Sequence, residues 1–214
     1  MINLDEDYRI VTYYDVKIYW DINSDGFGSS MIDDFLNATS FITQDKNFNH
    51  ALEWCSGPGY WGFGLLGTHK VKKLTLSDIY EPVKGPISKT ISENNYQEKV
   101  QFIVSDNFKN IPKQSFDLIV SNPPHFDIDP VLIHPNVEKY KDKDWEIHKD
   151  FFKNVNEYLT DDGIIILAEN IHGSNVDTFR RMIEKNNLQI AHHFNSQQGS
   201  DNNIWYLAIT KKPA

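Results

Sequence analysis

From about residue 50 onward the chain alternates short apolar runs with stretches of helical periodicity. That alternation admits few folds: it calls for a parallel sheet whose strands are joined by crossover helices. His50 to Trp54, Lys73 to Asp78, Val100 to Val104, Phe116 to Ser121 and Ile164 to Ala168 read as five such strands. Phe116 to Ser121 has the apolar weight of a strand buried on both faces. Between them, helices are expected after the Gly57 to Gly67 turn, over Pro86 to Asn95, and along the stripe Ile147, Phe151, Val155, Tyr158 and Leu159. Val176, Phe179, Met182 and Ile183 mark another. Leu188 to Phe194 and Ile204 to Thr210 are the last two strands, and the polar link Asn195 to Asn203 is too short for a crossover helix. This final pair is therefore expected to be antiparallel.

Residues 1–45 follow a different pattern and read as an extension. Residues 9–20, rich in Val, Ile, Thr and Tyr, make one or two strands. Asn23-Ser24-Asp25-Gly26 is a turn signal, and Met31, Ile32, Phe35, Leu36, Phe41 and Ile42 recur at helical spacing, with Ser29 or Ser30 as N-cap. Residues 46–214 then form the main domain, and the chain's 214 residues suit one such α/β unit plus the extension.

The segment Glu53-Trp54-Cys55-Ser56-Gly57-Pro58-Gly59-Tyr60-Trp61-Gly62 lies between a strand and a helix. Glycines there let backbone approach a ligand, and the helix start presents unpaired N–H groups to its anionic part. Gly57, Gly59 and Gly62 also spell the dinucleotide fingerprint. On the glycines alone, an NAD-dependent dehydrogenase, a catalytically silent cofactor-binding module and a turn that merely packs strand on helix all remain open. Charge separates the ligands. Glu53 stands just ahead of the glycines, where it would repel a pyrophosphate but attract the ammonium and sulfonium of S-adenosylmethionine. Asp78, ending the next strand, is placed to accept from ribose hydroxyls, and Asp106, after the third, from an adenine amino group. Asp106 also fits a turn or cap.

Ser121-Asn122-Pro123-Pro124-His125-Phe126 follows the fourth strand. Open α/β sheets bind ligands at the carboxyl ends of their strands, near the switch point, so this turn and the glycine turn are expected to face one crevice. Methyl transfer to an amide or exocyclic amine needs the nitrogen lone pair aimed at the methyl carbon. Two acceptors gripping its N–H bonds provide that aim, and the Asn122 side chain and the Pro123 carbonyl are candidates. Consecutive prolines stiffen the carbonyl. A plain Pro-Pro turn is the simpler reading of the same residues.

Together these residues resemble the class I N-methyltransferases with an Asn-Pro-Pro-aromatic motif, the small-domain methyltransferase superfamily. The resemblance spans roughly residues 46–210 and implies S-adenosylmethionine as cofactor. It implies a Rossmann-like seven-stranded sheet in order 3-2-1-4-5-7-6, with strand seven antiparallel. It makes Glu53, Cys55, Gly57, Gly59, Asp78 and Asp106 cofactor-binding residues, and Asn122, Pro123 and His125 catalytic ones. Two positions depart from the pattern: Cys55 replaces a usual glycine, and His125 a usual Tyr, Phe or Trp. His125 is expected mainly to stack on the planar substrate group. The family methylates protein glutamines and nucleobase amino groups, so the acceptor is expected to be protein or nucleic acid.

Net charge, 21 − 30 = −9, argues against a broad nucleic-acid footprint and favours a protein amide. Lys139, Lys141, Lys143, Lys149 and Lys153 form a possible basic rim that keeps a nucleobase in play. Further candidates are Phe27-Gly28 over the cofactor, Trp145, Glu146 and His148 in a substrate groove, and Glu169 at the end of strand five. No close metal-ligand set such as H-x-x-x-H occurs, so no metal is expected. The single cysteine, the absence of a long apolar run and an acidic start, Met1 to Asp7, without a secretory pattern point to the cytoplasm and no membrane span.

Overall fold

A computed structural model describes residues 3–4, 8–24, 28–127, 137–196 and 203–213. Its centre is a seven-stranded sheet: β4 (Phe48–Trp54), β5 (Val71–Asp78), β6 (Val100–Val104), β7 (Phe116–Ser121), β8 (Leu159–Asn170), β9 (Leu188–Asn195) and β10 (Ile204–Lys211). The spatial order is β6-β5-β4-β7-β8-β10-β9, which is 3-2-1-4-5-7-6 counted within this sheet. β4 pairs in parallel with both β5 and β7, and β7 with β8, whereas β10 runs antiparallel to β8 and to β9.

Strand alternation divides the core in two. Ala51, Leu118, Val120, Ile166 and Ala168 face one cluster; Leu52, Phe116, Ile119, Ile165 and Leu167 face the other. The first side is covered by α1 (Ile32–Thr43), α2 (Tyr60–Gly67) and α3 (Lys84–Glu93), the second by α4 (Glu146–Asn154) and α5 (Val176–Lys185). Central strands covered on both faces need apolar residues on both, which their sequence supplies.

β1 (Asn3–Leu4), β2 (Arg9–Tyr13) and β3 (Val16–Trp20) form a separate antiparallel sheet. It is docked rather than loose. Val16, Ile18 and Trp20 join the first core cluster, and the Tyr19 N–H donates to Thr90 Oγ1 on α3 at 2.9 Å. α1 is tied to the far edge through Asp34, which is 8% exposed and accepts from Ser196 Oγ at 2.7 Å and Tyr206 Oη at 2.5 Å.

Local departures from the sequence reading have physical causes. Ser29 and Ser30 do not cap α1; they lie in a 3-10 turn, Gly28–Ser30, and Met31 stands at the helix start without a side-chain cap. The helix expected through Leu159 stops at Asn154, and a 3-10 turn carries Val155 into the core before β8 begins. Asp25, Gly26 and Phe27 of the first turn region, and residues 197–202 of the last loop, lie outside the described residues. Among the described residues no helix is long and apolar enough to cross a membrane.

Asp34→Ala leaves the Tyr206 and Ser196 hydroxyls without their acceptor. The expected loss is about 2–3 kcal/mol of unfolding free energy, measured by urea denaturation, with Asp34→Asn losing less.

Candidate active site

A cavity of about 940 Å³ opens along the carboxyl ends of β4, β5, β6, β7 and β8. Both sequence motifs reach it: Glu53, Cys55 and Gly57 from the first turn, Asn122, Pro123 and His125 from the second, with Asp78 and Asp106 beside them. Gly59 does not line it. It stands at the start of α2 with φ +85°, and a Cβ there would lie 2.9 Å from Leu76 Cδ1, so its work is conformational.

The turn after β4 is left-handed at three residues, Cys55 (φ +51°), Gly57 (φ +49°) and Gly59. Cys55 thus takes the backbone conformation that explains why glycine is usual there. A non-glycine residue in that region costs about 1–2 kcal/mol. Its thiol faces a concentration of carboxylates. Burial first, then the charges of Asp78, Asp142, Glu169 and Asp106, push its pKa well up.

Glu53 does something the sequence did not reveal. Its Oε2 accepts from the Gly62 N–H at 2.7 Å and its Oε1 from the Trp61 N–H at 3.3 Å. The expectation that the start of α2 offers free N–H groups to an anion is corrected here, because Glu53 already occupies two of them. Burial pushes the Glu53 carboxyl up to about 8 despite those two bonds, and the charge of Asp78 adds to the rise. Asp78 in turn holds the loop: it accepts from the Gly57 N–H at 2.7 Å and the Tyr80 N–H at 2.9 Å. Burial raises its pKa against the lowering by Tyr80, Gly57 and Ile79. Asp106 is half exposed and paired with Lys109 at 2.5 Å.

On the other side, Asn122 Oδ1 is buried with no partner among the described residues, as is Ser77 Oγ. A buried polar atom without a partner costs about 1–3 kcal/mol, so such atoms in a cavity wall mark where a ligand donor belongs. His125 is 7% exposed, with Nδ1 at 3.4 Å from Glu169 Oε2. Glu169 also accepts from His148 Nε2 at 3.0 Å, and His148 Nδ1 lies 2.6 Å from Asp142 Oδ2. Desolvation would lower the His148 pKa. The charge of Glu169 and the hydrogen bonds to Asp142 and Glu169 outweigh it and raise the value to about 9. For Glu169, desolvation raises and the two histidines lower, with a net lowering.

His148 is fully buried among Phe179, Trp54, Trp145 and Phe152, and Glu146 is exposed, so neither forms the groove wall considered from sequence. Of the lysine rim, Lys139 and Lys141 line the cavity; Lys143, Lys149 and Lys153 are exposed away from it. Asp142 and Asn107 were not singled out from sequence. Asn107 bridges Trp54 Nε1 (2.8 Å) and Asp150 Oδ2 (2.8 Å) at the cavity wall. Neither residue belongs to a motif, and only three-dimensional pairing reveals them.

The profile of the methyltransferase small domain family matches residues 27–193. The chain belongs to that family. Its cofactor is S-adenosylmethionine, and the cavity suits it: carboxylates line the cavity floor, and Asn122 and Ser77 offer unfilled acceptors. The chain is 28% identical over 135 residues to the ribosomal protein uL3 glutamine methyltransferase of Francisella tularensis, covering 59% of this chain and 43% of that protein. It is 36% identical over 103 residues to the ribosomal RNA small subunit methyltransferase C of Actinobacillus pleuropneumoniae, covering 47% and 30%. It thus spans less than half the length of these curated relatives. Among solved structures, M. jannaschii TYW2 in complex with AdoMet superposes with a TM-score of 0.60 at 14% identity, over 97% of this chain and 86% of that one, a likeness of fold.

The family's cofactor-free chain should lose stability as pH rises. Glu53, neutral in the fold up to about 8 and ordinarily ionised above 4.5, contributes fully below 4.5 and loses that contribution as pH climbs through 8. His148, charged in the fold up to about 9 against an ordinary 6.5, contributes fully below 6.5 and loses it through 9. Urea denaturation at pH 5, 7 and 9 is expected to show this decline, and Glu53→Gln to flatten the part between 5 and 8.

Proposed function

We propose that this chain methylates the nitrogen of a planar amide, with a protein glutamine side chain as acceptor. The observation that carries the reading is Asn122 Oδ1, buried and unpartnered in the same cavity as the glycine turn. S-adenosylmethionine supplies an electrophilic methyl group on a sulfonium. Asp78 accepts from the ribose hydroxyls and Asp106 from the adenine amino group, while the Cys55–Gly59 turn gives backbone access. Asn122 Oδ1 and the Pro123 carbonyl take the two N–H bonds of the acceptor, which turns its lone pair out of conjugation and along the reaction axis. The acidic charge of the chain and its similarity to a glutamine methyltransferase support the amide.

A nucleobase amino group is the second reading. Lys139 and Lys141 on the cavity wall and the similarity to a ribosomal RNA methyltransferase favour it.

Incubation with methyl-labelled S-adenosylmethionine and a cell extract, followed by protease or nuclease, separates the two: protease-released label supports the amide, nuclease-released label the base. Asn122→Ala is expected to cut transfer by about 10²–10³-fold, with cofactor affinity by calorimetry changed less than about twofold, because the side chain acts on the acceptor. Full transfer by Asn122→Ala would sink the assignment.

A further inference from the structure

Four ionisable side chains form a continuous line from the helix α4 start to the cavity. Asp142 accepts from the Ile147 N–H (2.8 Å) and the His148 N–H (3.0 Å) and holds His148 Nδ1. His148 Nε2 meets Glu169 Oε1, and Glu169 Oε2 meets His125 Nδ1. Asp142, His148 and Glu169 are each at most 1% exposed. A stacking aromatic at position 125 needs none of this. We propose that His125 accepts the proton released by the nitrogen being methylated, and that Asp142, His148 and Glu169 are positioning residues that hold it in the accepting tautomer. This rests on the methyl-transfer reading above.

The tautomers follow from the partners. Both ring nitrogens of His148 face carboxylates, so both carry hydrogens and the ring is an imidazolium. Glu169, facing that cation, is ionised and accepts only; His125 Nδ1 must then be the protonated nitrogen, and Nε2 keeps its lone pair. Among the described residues no hydrogen bond engages Nε2, and His125 lines the cavity beside Asn122 and Pro123. Two anions and one cation leave the buried line with a net charge of −1, and proton uptake by His125 neutralises it. The other charged or ionisable groups on the cavity wall, among the described residues, are Glu53, Cys55, Asp78, Asp106, Lys139, Lys141 and the phenols of Tyr60, Tyr80 and Tyr140. The His125 backbone is also held from behind: a Cβ on Gly173 would lie 2.0 Å from the His125 carbonyl oxygen, so the turn after β8 abuts the motif backbone.

The chemistry supplies the proton. The nitrogen lone pair forms the new N–C bond while the C–S pair stays on sulfur, and the positive charge passes from sulfur to nitrogen. One N–H then leaves its acceptor, Asn122 Oδ1 or the Pro123 carbonyl, and its proton moves to His125 Nε2, leaving a neutral methylated nitrogen and an imidazolium beside Glu169. Solvent takes the proton after the product leaves. His125 is 7% exposed, and the proposed role asks for access to Nε2 from the cavity rather than to the whole ring face that stacking would use.

Long-range ¹H–¹⁵N spectra of the uniformly labelled full chain test the arrangement, with His125 assigned from the His125→Phe spectrum. Neutral His125 is expected as the Nδ1–H form, and His148 as doubly protonated at pH 7.5. Glu169→Gln has one acceptor, which the His148 cation takes. Its amide N–H then donates to His125 Nδ1, flips the ring to the Nε2–H form and abolishes proton uptake. Transfer of label to the extract acceptor is expected to fall about 10²–10⁴-fold in both Glu169→Gln and His125→Phe. Calorimetric affinity for S-adenosylmethionine stays near wild type in both variants. If Glu169→Gln does not fold, His125→Gln, which has no ring nitrogen to accept the proton, takes its place in the transfer arm. An Nε2–H form in the wild type, or undiminished transfer by His125→Phe, overturns the proposal while leaving the methyltransferase reading intact. Failure of the wild type to bind S-adenosylmethionine overturns that reading itself.

Discussion

The parallel pairing of β4 with β7 governs everything else. Ala51 lies opposite Leu118 and Trp54 opposite Ser121, so the two strands end level and on the same edge. Ser121 Oγ donates to the Trp54 carbonyl, fastening those ends together. Two turns that follow level strands must open onto a common space. The chain direction reverses its progress through the sheet between these strands, so no crossover covers the gap and a cavity remains. Helices on both faces hold the edge fixed. α2 leaves from β4 on one side, and Trp54 points to the other, where it stacks on Phe151 of α4 at 4.0 Å.

Electrostatics then sorts the residues at that edge. Glu53 and Asp78 are anchored to backbone N–H groups of the glycine turn, α2 and the turn after β5, and act as internal caps. Their raised pKa values reflect burial before any cation arrives. A cation bound beside them would favour their ionised forms, which would couple its binding to their ionisation. The Asp142–His148–Glu169 line is a second, self-compensating charge system, insulated by Trp54, Trp145 and Phe179.

Much of this was legible in the sequence because it depends on short-range rules. The apolar runs locate all seven main strands, and the brevity of the 195–203 link identifies the antiparallel pair. The glycine turn and Asn122-Pro123-Pro124-His125 reveal the cavity because topology alone fixes where loops after parallel strands go. Less legible were features set by distant partners. Nothing near His148 in the chain says that its second nitrogen meets Glu169, 21 residues on, and a helix start looks solvated until α5 covers it. Glu53 reads as a ligand group because its bonds to Trp61 and Gly62 require the strand and helix to be folded back on one another. The end of the α4 stripe was misplaced because a 3-10 turn continues the same buried face with different geometry.

Cys55 carries a consequence for chemical durability. Electrophiles and peroxides attack thiolates, and burial with the charges of Asp78, Asp142, Glu169 and Asp106 pushes the Cys55 pKa well up, so the sulfur holds on to its proton. A glycine would have bent the backbone more easily at this point. Cys55 lines the cavity and is partly exposed there, so a small thiol-directed reagent that reaches it meets a protonated thiol and reacts slowly.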